Sequence, residues 1–309
     1  MYKILSIDGG GIKGVFPVSF LATIENTYQK KIYEHFDLIV GTSTGGIIAV
    51  GLGLGYSAYE ILGFYKKYGL TIFHKLPIWS SLRHWFSHKY DNRPLKEALI
   101  ATFGDKKLGD SKTRLVIPSA TRETGEVYVY KTRHHTKFEK DSEVSVVDVA
   151  MATAAAPSFF PQFASSTSVP LVDGGVWANN PINVAVTEAI GVLNWSRDDI
   201  KILSIGCTSE VIDINVNAKR FVGKLFWAKK IIELIMSSQS SGACGAAQLL
   251  IGHRNVYRIN PVVSKNRFKL DSSNCIPDLE GLGNSEARKS LPNLKHFFET
   301  KVEPFNPVV

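Results

Sequence analysis

The chain has 309 residues, 44% of them hydrophobic and 21% charged, with a formal net charge of +8. That balance excludes a disordered polyelectrolyte, and a total of three cysteines excludes a disulfide-built scaffold. No run of about 18 or more uniformly apolar residues is present, which excludes a simple membrane-spanning helix. The positive excess favours an anionic partner.

In chain order, residues 2–7 read as a first strand, Tyr2-Lys-Ile-Leu-Ser-Ile. No secretory leader precedes it, so a cytoplasmic location is expected. A glycine loop follows, Asp8-Gly9-Gly10-Gly11-Ile12-Lys13-Gly14. Residues 16–30 read as a helix, because Phe16, Phe20, Ile24 and Thr27 recur near helical spacing and Pro17 suits a first turn. The aliphatic run 38–40 reads as a buried strand, and 47–54 as the start of a buried helix. Strand, glycine loop, helix, strand and helix within about 65 residues predict an α/β fold, a mainly parallel sheet with helices on both faces.

Residues 71–94 interleave Trp79, Trp85 and Phe86 with Lys75, Arg83 and Lys89. They suit a packed surface loop or, alternatively, a flap at a lipid interface. A helix opens at Asn92, with Pro94 near its first turn. Residues 113–118 and 126–130 read as strands of a hairpin turning at Glu123-Thr-Gly125. An Ala-rich buried helix is predicted over 146–156, stopped by Pro157. A short strand at 171–172 leads into Asp173-Gly174-Gly175. A helix then follows Asn179-Asn180-Pro181 to about residue 193, and a parallel-type strand covers 201–205.

Over 219–236, Phe221, Leu225, Ala228, Ile232 and Ile235 form one apolar stripe among Lys219, Arg220, Lys224, Lys229 and Lys230. The expectation is a core-facing helix with a solvated basic surface; a membrane- or ligand-facing helix is the alternative. Cys207, Cys244 and Cys275 are scattered and read as buried small hydrophobes with no metal pattern. No linker or repeat divides the chain, so one domain over 1–309 is expected, with a motif-bearing core at 2–206 and an elaboration at 207–309.

Between the second strand and its helix stands Gly41-Thr42-Ser43-Thr44-Gly45, a G-x-S-x-G pattern. In strand–turn–helix context this describes a nucleophile elbow. Glycines at both flanks let the backbone approach itself closely. The serine then sits at a helix N-terminus, where free N–H groups and the dipole favour a developing negative charge.

The three motifs in this order, with Ala154-Ala155-Ala156-Pro157 ahead of the last, resemble the patatin-like phospholipase family over residues 2–206. The resemblance implies a three-layer α/β sandwich and a phospholipase A-type hydrolase cleaving fatty acyl esters of membrane glycerophospholipids. It implies Ser43 as nucleophile and Asp173 as base, with no histidine between them. Gly9, Gly10 and Gly11 would form the oxyanion hole, with Asp8, Lys13, Gly14, Gly41, Gly45, Gly174 and Gly175 as flanking motif positions. Lys13 stands where the family commonly has arginine; it keeps the charge and loses the planar fork. No metal and no cofactor are implied. The partner would be a phospholipid membrane surface, approached from its inner face, and neither DNA nor RNA. The opening residues 4–17 and the compact length also resemble bacterial antiphage effectors of this family that cyclic oligonucleotides switch on. That likeness leaves such an activator as an open option; a homo-oligomer is a separate one.

Other readings compete for the same residues. Gly9-x-Gly11-x-x-Gly14 matches a dinucleotide fingerprint, but that motif wants an acidic residue closing the second strand, where Gly41-Thr42-Ser43 stands. Ser43, Asp173 and His253 have the chain order of a general α/β-hydrolase triad. A non-catalytic lipid- or nucleotide-binding module is the third alternative.

Overall fold

The computed structural model describes residues 1–74, 88–164, 169–210 and 224–308, with the backbone alone at 224–230. The aromatic and basic stretch 75–87 therefore lies outside the described residues, as does the start of the predicted basic helix at 219–223. Ten strands are described: β1 (Tyr2–Ile7), β2 (Leu38–Gly41), β3 (Arg114–Thr121), β4 (Val127–Lys131), β5 (Phe163–Ala164), β6 (Pro170–Asp173), β7 (Ile200–Ile205), β8 (Ser209–Glu210), β9 (Val256–Ile259) and β10 (Val262–Val263). The helices α1 (Val15–Tyr28), α2 (Thr44–Gly53), α3 (Ala58–Ile72), α4 (Arg93–Phe103) and α5 (Val146–Thr153) precede α6 (Gly175–Ala178), α7 (Ile182–Gly191), α8 (Lys224–Ile251) and α9 (Ile276–Phe298).

Eight strands form one sheet in the order β5-β6-β3-β2-β1-β7-β9, with β4 on β3. The run β3-β2-β1-β7-β9 is parallel throughout. Its strands alternate between two apolar cores. Leu5, Ile7, Ile39, Leu115, Ile117, Leu203 and Ile205 face one core, which α1 and α9 share with α2 to α5. Ile4, Leu38, Val40, Val116, Ile200 and Ile202 face the other, covered by α7 and α8. Because successive side chains point to opposite faces, a strand buried on both sides reads as an unbroken aliphatic run. This is the expected sandwich, with a mainly parallel sheet between two helical layers.

The antiparallel part positions the site. Val116 of β3 pairs with Val40 of β2 on one edge and with Lys131 of β4 on the other. Ser119 pairs with Tyr128 of β4 and with Asp173 of β6. Thus β2 and β6 share one edge of β3 and approach each other end to end. Extending the Val116–Val40 register by three residues sets Ser43 level with Ser119, where Asp173 also arrives.

Several boundaries differ from the sequence reading. The Ala-rich helix α5 stops at Thr153, because Ala156 precedes Pro157 and such a residue disfavours helical backbone. The helix after Ser43 starts at Thr44, three residues earlier than expected. α8 continues to Ile251 through Ser-Gln-Ser-Ser-Gly, where propensity is poor, because Ala243, Ala247 and Ile251 at i, i+4 and i+8 pack into the second core. The expectation of a core-facing stripe fails at Ile232 and Ile235, which are 62% and 53% exposed because this part of α8 has no core beneath it among the described residues. Strand β9 and helix α9 carried no recognised pattern. α9 contains Pro292, and its Gly283 lets α1 approach so closely that a Cβ there would lie 2.6 Å from the Phe16 carbonyl. Among the described residues no helix is long and apolar enough to cross a membrane.

Candidate active site

Ser43 sits at φ 56° and ψ −123°, a backbone region that side-chain-bearing residues rarely adopt. The surroundings hold it there. Its N–H donates to Thr153 Oγ1 at 3.0 Å, and that hydroxyl donates to the Pro118 carbonyl at 2.6 Å. Thr42 Oγ1 donates to the Ala178 carbonyl at 2.7 Å, and the Thr44 and Tyr65 hydroxyls are bonded to each other. The flanking glycines are steric necessities: a Cβ on Gly41 would lie 2.1 Å from the Gly45 carbonyl oxygen, and one on Gly45 2.3 Å from that of Ile7. Strand β2 thereby turns straight into α2, with Ser43 at its N-cap.

Asp173 ends β6 and is 4% exposed. Ser43 Oγ donates to its Oδ2 at 2.6 Å, and the Gly175 N–H to its Oδ1 at 2.6 Å. Burial pushes this carboxyl up to about 6, although both hydrogen bonds pull it down. Such a group is ionised at neutral pH and basic enough to take a proton. Gly174 is required because a Cβ there would lie 2.3 Å from the Pro118 carbonyl oxygen.

The glycine loop between β1 and α1 passes beside Ser43. The Gly9 N–H donates to the Asn179 carbonyl at 2.9 Å, so this glycine's donor is committed within the backbone. The Ile12 N–H is likewise held, by the Leu270 carbonyl at 2.9 Å. Between these two ties, Gly10 and Gly11 line the same cavity as Ser43 and Asp173. Gly11 has φ 56°, which favours glycine. Gly14 packs against Thr44, whose Oγ1 would lie 2.3 Å from a Cβ. The Lys13 Nζ reaches back to the Thr208 carbonyl at 3.5 Å.

Asp8, the residue before the glycines, is buried and forked by Arg258 of β9, with Nη1–Oδ1 2.8 Å and Nη2–Oδ2 2.5 Å. Burial pushes the Asp8 carboxyl up, and the guanidinium pulls it back. Arg258 also donates to Ser204 Oγ at 2.8 Å. Sequence reasoning missed Arg258, Thr153 and Asn179. Nothing in the local pattern of Val256-Tyr-Arg-Ile marks a strand arginine as the partner of a residue 250 positions earlier.

The cavity holds about 370 Å³ and is largely apolar, with Ile47, Phe64, Ile72, Phe73 and Phe160 in its walls and Ile232 and Ile235 of α8 among its lining. Those apolar walls suit a hydrocarbon chain beside the Ser43 hydroxyl. No histidine lines it among the described residues. His253 is exposed on the single turn that follows α8. We expect His253→Ala to leave ester turnover within about twofold, as for an ordinary surface substitution. A loss on the order of a thousandfold would reinstate a triad. Among the described residues no group of three or more His, Cys, Asp or Glu is placed to hold a metal ion.

Residues 5–186 match the model of a family described as "Patatin-like phospholipase". A "cGAMP-activated phospholipase" of Pseudomonas aeruginosa is 33% identical over 94% of this chain and 89% of its own length. A protein of the same description from Vibrio cholerae is 34% identical over 67% of this chain and 64% of its own. "Patatin-1-Kuras 2" of Solanum tuberosum is 31% identical over 68% and 64%. With the family model covering more than half of its length and a relative aligned almost end to end, the chain belongs to the patatin-like phospholipases.

Proposed function

We propose that this protein is a serine acyl hydrolase that releases fatty acid from glycerophospholipids through a Ser43–Asp173 dyad, and that the chain works as one unit. One observation carries the reading: the 2.6 Å hydrogen bond from Ser43 Oγ to a buried Asp173 carboxylate, at a helix N-terminus and inside an apolar cavity. Ser43 Oγ attacks the acyl carbonyl while Asp173 Oδ2 takes its proton. The carbonyl oxygen becomes an oxyanion, for which the N–H groups of Gly10 and Gly11, which line the same cavity as Ser43, are the donors in this reading. Gly9 serves by pinning the loop to Asn179. The proton then passes to the departing lysophospholipid alkoxide, and Asp173 activates water to hydrolyse the acyl-enzyme.

Ser43→Ala is the direct test. It is expected to cut fatty-acid release from vesicles on the order of a thousandfold or more, with the folded state retained. Release within about tenfold of the parent would sink the dyad. The names of two relatives above suggest a regulatory arm, so we extend the proposal to activation by a cyclic dinucleotide, as in antiphage defence. The same assay with and without cGAMP tests it; an unchanged rate removes that arm and leaves the hydrolase standing.

A further inference from the structure

We propose that residues 231–235 of α8 form the surface by which this protein docks on a phospholipid bilayer, with Ile231, Ile232 and Ile235 entering the interface. The inference rests on the hydrolase reading and adds to it where the lipid is met.

α8 is 28 residues long, and its described side chains meet two different surroundings. The C-terminal half is anchored by Ala243, Ala247 and Ile251 in the core against α7. Ahead of it, among the described side chains, Ile231, Ile232 and Ile235 are 39%, 62% and 53% exposed. Spacings of i+3 and i+4 set these isoleucines on one side of the helix. Single exposed aliphatics need no explanation, but three in little more than one turn make a ridge.

The ridge is continuous with the site. Ile232 and Ile235 also line the cavity that holds Ser43 and Asp173. An acyl chain leaving a bilayer in contact with this ridge would meet, in Ile232 and Ile235, side chains that line the same largely apolar cavity as Ser43. Charge favours the same occupant. In sequence the ridge directly follows Lys229 and Lys230, and the chain carries a net +8, which suits anionic head groups. An amphipathic helix of this kind lies in the interface rather than across it.

The anchoring of α8 ties docking to catalysis. Asn180 donates its backbone N–H to Gln239 Oε1 at 3.1 Å, and its side-chain amide to Ser240 Oγ at 3.1 Å. The neighbouring Asn179 carbonyl holds Gly9. The docking helix and the glycine loop are thus joined through two hydrogen bonds and the Asn179–Asn180 peptide link.

The experiment is co-sedimentation of the Ser43→Ala protein with vesicles of equimolar phosphatidylcholine and phosphatidylglycerol, so that no turnover enters the readout. Adding Ile232→Asp with Ile235→Asp is expected to lower vesicle partitioning about tenfold or more, at an unchanged thermal midpoint. Ile231→Asp, which lies outside the cavity lining, is expected to give an intermediate loss. Two outcomes overturn the proposal. One is unchanged partitioning in both variants. The other is a parent that runs as a dimer which the aspartates split, since a second copy would then cover the ridge. A protein that binds vesicles through these isoleucines yet releases no fatty acid as the Ser43 parent would instead remove the hydrolase reading.

Discussion

Asp173→Asn is expected to abolish hydrolysis and, at pH 8, to make the protein more stable. An asparagine amide can keep both hydrogen bonds, accepting from the Gly175 N–H and donating to Ser43 Oγ, but it cannot take the serine proton. The expected loss of kcat/KM is on the order of a thousandfold or more. The stability effect follows from the raised carboxyl. Its pKa is about 6 in the folded protein against an ordinary 3.8, chiefly through burial. A group raised on folding contributes stability that is fully present below the unfolded value and lost as pH rises through the folded one. At pH 8 the wild type therefore carries the cost of a buried charge, at most about 3 kcal/mol for a shift of about two units. Asparagine removes that cost. A melting series should show the variant several degrees higher at pH 8, with the gain shrinking through pH 6 and gone near pH 3.5. A gain that ignores pH would disprove this account. The same carboxyl sets the acid limb of the wild-type rate: kcat/KM should fall about tenfold per unit below pH 6, as the base becomes protonated.

Arg258→Ala should be among the most damaging substitutions in the chain, although the residue does not touch the cavity. It removes both donors from Asp8 and leaves a carboxylate that is 4% exposed without its counter-charge. Breaking a buried pair from one side typically costs about 3–5 kcal/mol. The melting midpoint is expected to fall on the order of 10 °C. Asp8→Asn placed on top should recover part of that loss, because the uncompensated charge is gone, and the double-mutant cycle measures the coupling. A purely structural role would stop there. Asp8 adjoins the glycines, so Arg258→Lys, which keeps charge without the planar fork, should fold better than the alanine variant yet show a reduced kcat with KM little changed. Equal kcat in the lysine variant and the parent would confine Arg258 to stability.

Residues whose identity is dictated locally were legible in the sequence. Gly41 and Gly45 could be read because an elbow closing to 2.1 Å between a would-be Cβ and a carbonyl oxygen admits nothing larger. The strands of the parallel run announced themselves as aliphatic stretches because both faces are covered. What stayed hidden is defined by distant partners. Thr153 is one threonine in an alanine-rich helix until Ser43 folds against it, 110 residues away in sequence. That the Gly9 N–H is tied while Gly10 and Gly11 line the cavity depends on Asn179, whose carbonyl takes the Gly9 N–H from 170 positions away in sequence. The continuation of α8 to Ile251 is a case of packing overriding propensity, and no window of sequence contains the α7 surface that does it.

The end-to-end meeting of β2 and β6 along one edge of β3 bears on how this scaffold can vary. Residues inserted into β6 ahead of Asp173 would each push it about 3.3 Å along the strand and swing it to the opposite face of the sheet. The same holds between Leu38 and Ser43. Chain length is therefore frozen over those two short spans, while side chains along them can change. The exposed turn at 122–126 lies off this line and can absorb additional residues without moving either end. A scaffold of this build diverges by exchanging residues and by growing at its corners, and an insertion in either of the two carrier strands marks a descendant that has given up the chemistry.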